Sequence, residues 1–242
     1  MLSLSIIIPA YNEEKRLPST LDRVLGYLGG IQLGFFEVLV VDDGSSDGTA
    51  DLVRAYQRRA PSIRLISNPG NRGKGYAVRH GMLEAKGEWR LFTDSDLSAP
   101  IEELDKLLEA AQRENVAVAF GSRAVDRKLV SVHQSWAREF SGRFFNLVMR
   151  LLTGLPYHDT QCGFKLYRAD AAGQIFSRQL LNGFGFDVED LYLAKVLGFP
   201  AVEVAVRWAN VEGTRVSLAS GLRAFWEVIL VRWNSIRGLY RR

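Results

Sequence analysis

Two carboxylates one residue apart, Asp94 and Asp96, end the apolar run Glu88-Trp-Arg-Leu-Phe-Thr. At a strand tip, such a pair can face one hard cation through oxygen ligands. Mg²⁺ and Mn²⁺ accept such ligands and usually share them with a substrate diphosphate. A DxD by itself also describes a solvated acidic turn. Two further acidic constellations shift the balance: Val40-Val41-Asp42-Asp43-Gly44-Ser45 upstream and Asp187-Val-Glu189-Asp190 downstream. Between them, Asn71-Arg72-Gly73-Lys74-Gly75 leads into a helix. Its amides and Lys74 suit a phosphate, although glycine-rich turns of this kind also serve as plain connections.

Something must hold these residues together. Residues 4–10, 37–41, 63–66, 89–93, 116–121, 163–167 and 201–208 read as strands. Helical patterns cover 14–28, 49–59, 73–85, 101–114, 136–152 and 188–197. The alternation predicts βαβ units: an α/β, Rossmann-like fold with a mostly parallel sheet flanked by helices. In such sheets ligands bind beyond the carboxyl ends of the strands. Pro9 to Glu13, Asp42-Asp43, Asp94-Ser95-Asp96 and Gly121-Ser122-Arg123 all follow strands, which points to one shared site. The first strand leads to Pro-Ala-Tyr-Asn-Glu rather than GxGxxG, which disfavours a dinucleotide-binding oxidoreductase.

The bulk numbers are ordinary for a soluble protein: 242 residues, 47% hydrophobic and 24% charged. A single cysteine, Cys162, excludes an internal disulfide and reads as a packing residue. His80, His133 and His158 lack metal-ligand spacing. The N-terminus shows no signal peptide, and no apolar stretch reaches the roughly 18–20 residues of a spanning helix. A cytoplasmic or peripheral protein is expected. The net charge of +4 is uneven. Arg123, Arg127, Lys128, Arg138, Arg143 and Arg150 cluster in one region, and Arg223, Arg232, Arg237, Arg241 and Arg242 in another. Two such regions suggest anionic partners at two places.

Together, Pro9-Ala-Tyr-Asn-Glu13, Val41 to Thr49, Asn71 to Gly75 and the DxD resemble glycosyltransferase family two, with its GT-A fold. Asp159-Thr-Gln161-Cys-Gly163-Phe-Lys165, Phe186-Asp187-Val-Glu189 and Trp208 followed by Gly213-Thr214 resemble its polyprenyl-phosphate branch, the dolichyl-phosphate β-glucosyltransferases and, more distantly, the dolichol-phosphate mannose synthases. The match spans about residues 3–218. It implies a catalytic domain over 1–218 and an amphipathic basic helix over 219–242.

The resemblance also implies roles. Pro9, Tyr11 and Glu13 wall the nucleoside, Asp43 with Asp42 beside it meets the base, and Lys74, Asp94 and Ser95 contact the donor. Asp96 is the metal ligand, for Mg²⁺ or Mn²⁺, and Asp94 meets ribose or sugar hydroxyls. Asp187, Glu189 and Asp190 complete the catalytic group, with Asp190 as base for a hydroxyl acceptor. A polyprenyl phosphate is already an anion and needs cations instead of a base. Arg123, Arg138, Arg143 and Lys165 are the cations expected to hold it. The function implied is inverting transfer of a hexose, glucose from UDP-glucose, onto a dolichyl or undecaprenyl phosphate. Mannose from GDP-mannose, or a hydroxyl acceptor in a surface polysaccharide, are the alternatives. Expected partners are the nucleotide sugar, the lipid phosphate and a membrane surface on its cytoplasmic face, with no nucleic acid. Apolar residues at 222, 225, 226, 229, 230, 233, 236 and 240 form a stripe opposite the arginines, so 221–242 should lie on an anionic membrane. The rival is a helix packed on the domain or in a homodimer.

Overall fold

The computed structural model describes residues 1–132, 149–210 and 218–241. Arg138, Arg143, His133, Gly213, Thr214 and most of the helix expected over 136–152 lie outside the described residues. In chain order the strands are β1 (Leu2–Ala10), β2 (Leu33–Asp42), β3 (Ile63–Ser67), β4 (Trp89–Thr93), β5 (Val118–Ser122), β6 (Val130–Val132), β7 (Phe164–Arg168), β8 (Ala201–Ala205) and β9 (Trp208–Ala209). The helices are α1 (Leu17–Gly29), α2 (Thr49–Arg59), α3 (Lys74–Glu84), α4 (Leu104–Arg113), α5 (Ala169–Arg178), α6 (Phe186–Val196) and α7 (Leu218–Ile236).

Seven strands form one sheet in the order β3-β2-β1-β4-β7-β5-β8. All pairings are parallel except those of β7, which runs antiparallel between β4 and β5. The aliphatic runs Ile6-Ile7-Ile8 and Val38-Leu39-Val40-Val41 are wholly buried. Both faces of the sheet are covered, so the central strands are continuous apolar runs. On one face, Ile6, Ile8, Val38, Val40, Phe164 and Leu166 meet α1, α2 and α4. On the other, Ile7, Leu39, Val41 and Phe92 meet α3, α5 and α6. Each such buried side chain contributes about 1.5–3 kcal/mol. In α4, Leu104, Leu107, Leu108 and Ala111 recur at helical spacing and are all buried. The α5 helix was not among the expected elements. It follows β7 directly and buries Ala171, Ala172, Ile175 and Phe176 in the second core.

Val228, Val231 and Tyr240 belong to the second core. The α7 helix packs one face on the domain. Trp226, Trp233 and Ile236 nevertheless remain 60, 56 and 68% exposed.

Candidate active site

Because β1, β2 and β4 are neighbours, their carboxyl ends open into one cleft of about 340 Å³. Pro9, Tyr11 and Glu13 line it from the turn after β1, Asp43 from that after β2, and Asp94, Ser95 and Asp96 from that after β4. Lys74 and Ala77 of α3 face the same space. Arg16, Asn71 and Phe184 complete the wall. Phe184 had no signal of its own, because its loop lies about 90 residues downstream of the DxD.

The DxD turn is tight. The Leu97 amide donates to the Asp94 carbonyl at 3.2 Å, with Leu97 at φ 46°. That conformation is rare for a branched residue. It returns the chain so that both carboxylates face the cleft. Asp96 accepts from the Ser98 amide at 2.9 Å, and the Thr20 hydroxyl donates to the Ser95 carbonyl at 2.6 Å. A Cβ at Gly163 would overlap the Asp94 carboxylate, so this glycine supplies clearance for the DxD turn.

Lys74 Nζ lies 2.7 Å from Asp94 Oδ1. Burial opposes the Lys74 charge, yet Asp94, Asp187 and Asp96 hold the ammonium above its usual value. Burial pushes the Asp94 carboxyl up, Lys74 resists, and Asp96 and Asp187 add to the rise. Among the described residues, no three His, Cys, Asp or Glu side chains are grouped to hold a metal alone. Mg²⁺ is commonly held by one or two carboxylates, with substrate phosphate and water completing its shell. Asp96 and Asp94, facing an open cleft, fit that pattern.

The Asp42–Asp43 pair divides its work differently from the expectation. Asp42 accepts from the Ser45 amide at 3.2 Å and does not line the cleft. Asp43 does line it, but its oxygens accept from Asn68 Nδ2 at 2.8 Å, the Arg72 amide at 3.1 Å and the Gly73 amide at 2.8 Å. It shapes the lead-in to α3. Asn12, at φ 55°, accepts from the Ser46 amide at 2.8 Å and ties the two loops together. Asp47, one residue ahead of the Gly48 N-cap of α2, accepts from the Thr49 amide at 3.0 Å.

The third acidic group corrects three assignments. Lys165 is wholly buried, with Nζ 2.8 Å from Asp187 Oδ1 and 3.0 Å from Asp190 Oδ2. It is enclosed by carboxylates and is not a surface cation. Asp190 is equally buried and also accepts from the Tyr167 hydroxyl at 2.8 Å, which leaves it no open side for an acceptor. Burial pushes its carboxyl up, and Lys165 opposes that. Glu189 turns away from the cleft. It accepts from the Leu180 and Leu181 amides at 3.1 and 2.8 Å and from the Tyr240 hydroxyl at 2.6 Å. Asp187 is buried beside Lys165, close enough for its charge to reach Lys74 and Asp94.

Arg123 is half-buried. Its Nε and Nη2 donate to the Asp159 carboxylate at 2.6 and 2.8 Å, and its guanidinium lies 5.4 Å from the Trp208 ring centroid. Asp159 thus already carries part of the Arg123 charge. Cys162 is buried, and burial pushes its thiol up to about 12, in keeping with a packing role.

Residues 5–176 match the glycosyl transferase family 2 profile. The dolichyl-phosphate beta-glucosyltransferase of Mus musculus is 38% identical over 98% of this chain and 77% of its own. That of Dictyostelium discoideum is 35% identical over 98% and 76%, and that of Homo sapiens 36% identical over 98% and 77%. Among solved structures, mannosyl-3-phosphoglycerate synthase from Rubrobacter xylanophilus superposes with a TM-score of 0.70 at 18% identity, covering 100% of this chain and 76% of the other. Glucosyl-3-phosphoglycerate synthase from Mycobacterium tuberculosis, in complex with Mn²⁺, UDP and glucosyl-3-phosphoglycerate, gives 0.66 at 20% identity, covering 97% and 79%.

Proposed function

Because the chain belongs to glycosyl transferase family 2 and is therefore a glycosyltransferase, we propose that it moves glucose from UDP-glucose onto a polyprenyl phosphate with inversion. The named relatives act on dolichyl phosphate. The observation that carries the choice of acceptor is the burial of Asp190 behind Lys165 and Tyr167. A hydroxyl acceptor needs a base to take its proton, whereas a phosphate brings its own negative oxygen.

In this scheme the cleft takes the nucleoside against Pro9, Tyr11 and Glu13, with Asp43 holding the loop below. Asp96, assisted by Asp94, would hold a divalent cation, Mg²⁺ or Mn²⁺. When bound, that cation supplies Lewis-acid neutralisation of the leaving diphosphate. Lys74 is placed to shift from Asp94 to the same diphosphate. A phosphate oxygen of the acceptor attacks glucose C1 from the face opposite UDP. The new C1–O bond forms as the old one breaks, its electron pair leaves with UDP, and no proton moves. Arg123 is the acceptor-side cation of this scheme among the described residues. Incubating the protein with labelled UDP-glucose or GDP-mannose, a polyprenyl phosphate and Mn²⁺, then extracting lipid, tests it. Label from UDP-glucose should enter the organic phase. Label from GDP-mannose alone, or only in a water-soluble product, would overturn it.

The same reading puts the protein peripherally on the cytoplasmic face of a membrane. No helix among the described residues is long and apolar enough to cross one. Instead α7 turns Trp226, Trp233 and Ile236 outward beside exposed Arg232 and Arg237. Such a face suits an anionic headgroup layer, with attraction of about 1 kcal/mol per arginine near the surface. Trp226→Glu with Trp233→Glu should cut flotation with phosphatidylserine vesicles about tenfold or more. Residual binding of the unsubstituted protein should survive high salt, which screens only the electrostatic share. Unchanged flotation would assign the lipid contact to another surface, and a loss of dimer in sedimentation would assign this face to a second copy.

A further inference from the structure

Glu227 is the one acidic residue between positions 218 and 242, and it points inward from α7. A buried carboxylate is costly where an apolar side chain would pack more cheaply. This one accepts from the Gly185 amide at 2.6 Å. The approach depends on two glycines. A Cβ at Gly185 would lie 2.5 Å from Glu227 Cβ, and one at Gly183 would overlap the carboxylate. Between them stands Phe184, 37% exposed, on the wall of the cleft. Lys74 Nζ lies 5.9 Å from its ring centroid.

The loop 179–185 that carries Phe184 is held by α3 and by two carboxylates: at its start Gln179 Nε2 donates to the Gly75 carbonyl at 2.9 Å, and Arg79 Nη1 donates to the Gln179 carbonyl at 2.9 Å. The Asn182 carbonyl accepts from the Gly75 and Tyr76 amides at 2.8 and 3.3 Å, at the first turn of the helix that carries Lys74. Glu189 holds the Leu180 and Leu181 amides, and is itself held by Tyr240. Glu227 holds the last residue before α6. Both carboxylate ties therefore lead to the C-terminal segment.

We propose that Glu227 is a positioning residue of the active site, fixing through Gly185 the loop that sets Phe184 against Lys74 and the donor. This rests on the cleft being the donor site. The tie is charge-assisted, and such bonds are about twice as strong as neutral ones. Glu227→Ala should lower kcat/KM for UDP-glucose about tenfold to thirtyfold, and Glu227→Gln, which keeps an acceptor oxygen, about threefold. The assay uses polyprenyl phosphate in detergent, so seating on a bilayer plays no part.

The decisive readout is the Phe184→Ala background. If Glu227 acts through Phe184, adding Glu227→Ala or Glu227→Gln there should cost less than twofold. Equal losses in both backgrounds, or no loss in either, would overturn the proposal. Should Glu227→Ala fail to fold, the Gln variant decides by the same comparison. Calorimetric binding of UDP with Mn²⁺ to the unsubstituted protein tests the cleft separately. Absence of binding would overturn the donor site, and the positioning role with it.

Discussion

Asp96→Ala should lower transfer to about a thousandth of the unsubstituted rate while leaving the fold in place. The carboxylate stands at the end of β4, faces the cleft, and accepts from the Ser98 amide. Removing it takes away the anchor proposed for the cation that neutralises the departing diphosphate. Losing one such charged contact in a transition state costs several kcal/mol, or about a thousandfold in rate. The structural cost is the loss of one part-buried hydrogen bond, that from the Ser98 amide, and about 1 kcal/mol of stability is the expected loss. Initial rates across a Mn²⁺ titration, together with circular dichroism, check both halves. Near-normal turnover at saturating Mn²⁺ would remove Asp96 from the reaction. Lost turnover with lost ellipticity would mean that the turn, rather than the metal site, had been broken.

Lys165→Met should act in the opposite way, through stability. It strands the Asp187 and Asp190 carboxylates together in the core without their cation. Breaking a buried ion pair from one side costs about 3–5 kcal/mol. At roughly 2–4 °C per kcal/mol for a chain of this size, melting should fall by about 6–20 °C. The deficit has a defined pH dependence. The Asp190 carboxyl is already pushed up by burial, and losing Lys165 pushes it further. A raised carboxyl favours the folded state at low pH, where both states are protonated, and loses that advantage as pH rises through the folded value. The gap between variant and parent should therefore narrow toward about pH 4. Adding Asp190→Asn should recover part of the loss, since it removes one stranded charge. A variant with unchanged melting and poor acceptor affinity would restore Lys165 as a phosphate ligand.

The burial of Lys165 shows where sequence patterns stop. The strand Phe164-Lys165-Leu166-Tyr167 alternates, and a lysine in such a pattern reads as the solvent side. Here both faces of the sheet are covered, so Phe164 and Leu166 enter one core while Lys165 and Tyr167 enter the other. Nothing local announces this; the carboxylates that make it possible lie 22 and 25 residues away on α6. Glu227 is a similar case, a lone acid in a basic helix that pairs with an amide 42 residues earlier. By contrast, Ile6-Ile7-Ile8, Val38 to Val41 and the DxD at the end of β4 carry their meaning locally, in apolar runs that stop at carboxylates. The strand ends bring Pro9, Tyr11, Glu13, Asp43, Asp94, Ser95 and Asp96 to one cleft, beside Lys74 of α3. The α5 helix went unseen because it begins at Ala169, the residue after β7 ends, with no turn signal between them.

The position of β7 also bears on how the chain is made. Among the described strands, β5 is hydrogen-bonded to β7 and β8 alone. It leaves the ribosome before either, and 41 residues separate Ser122 from Phe164. At about 5–20 residues per second, the apolar segment Val118-Ala-Phe-Gly-Ser waits roughly 2–8 seconds for its first partner. Synthesis therefore leaves a half-built sheet, β3-β2-β1-β4, with the β4 edge open and a neighbouring strand unplaced. Such an edge is sticky toward other chains. A nascent chain arrested before residue 164 would carry every carboxylate that lines the cleft and yet lack the strand that closes the sheet beside them.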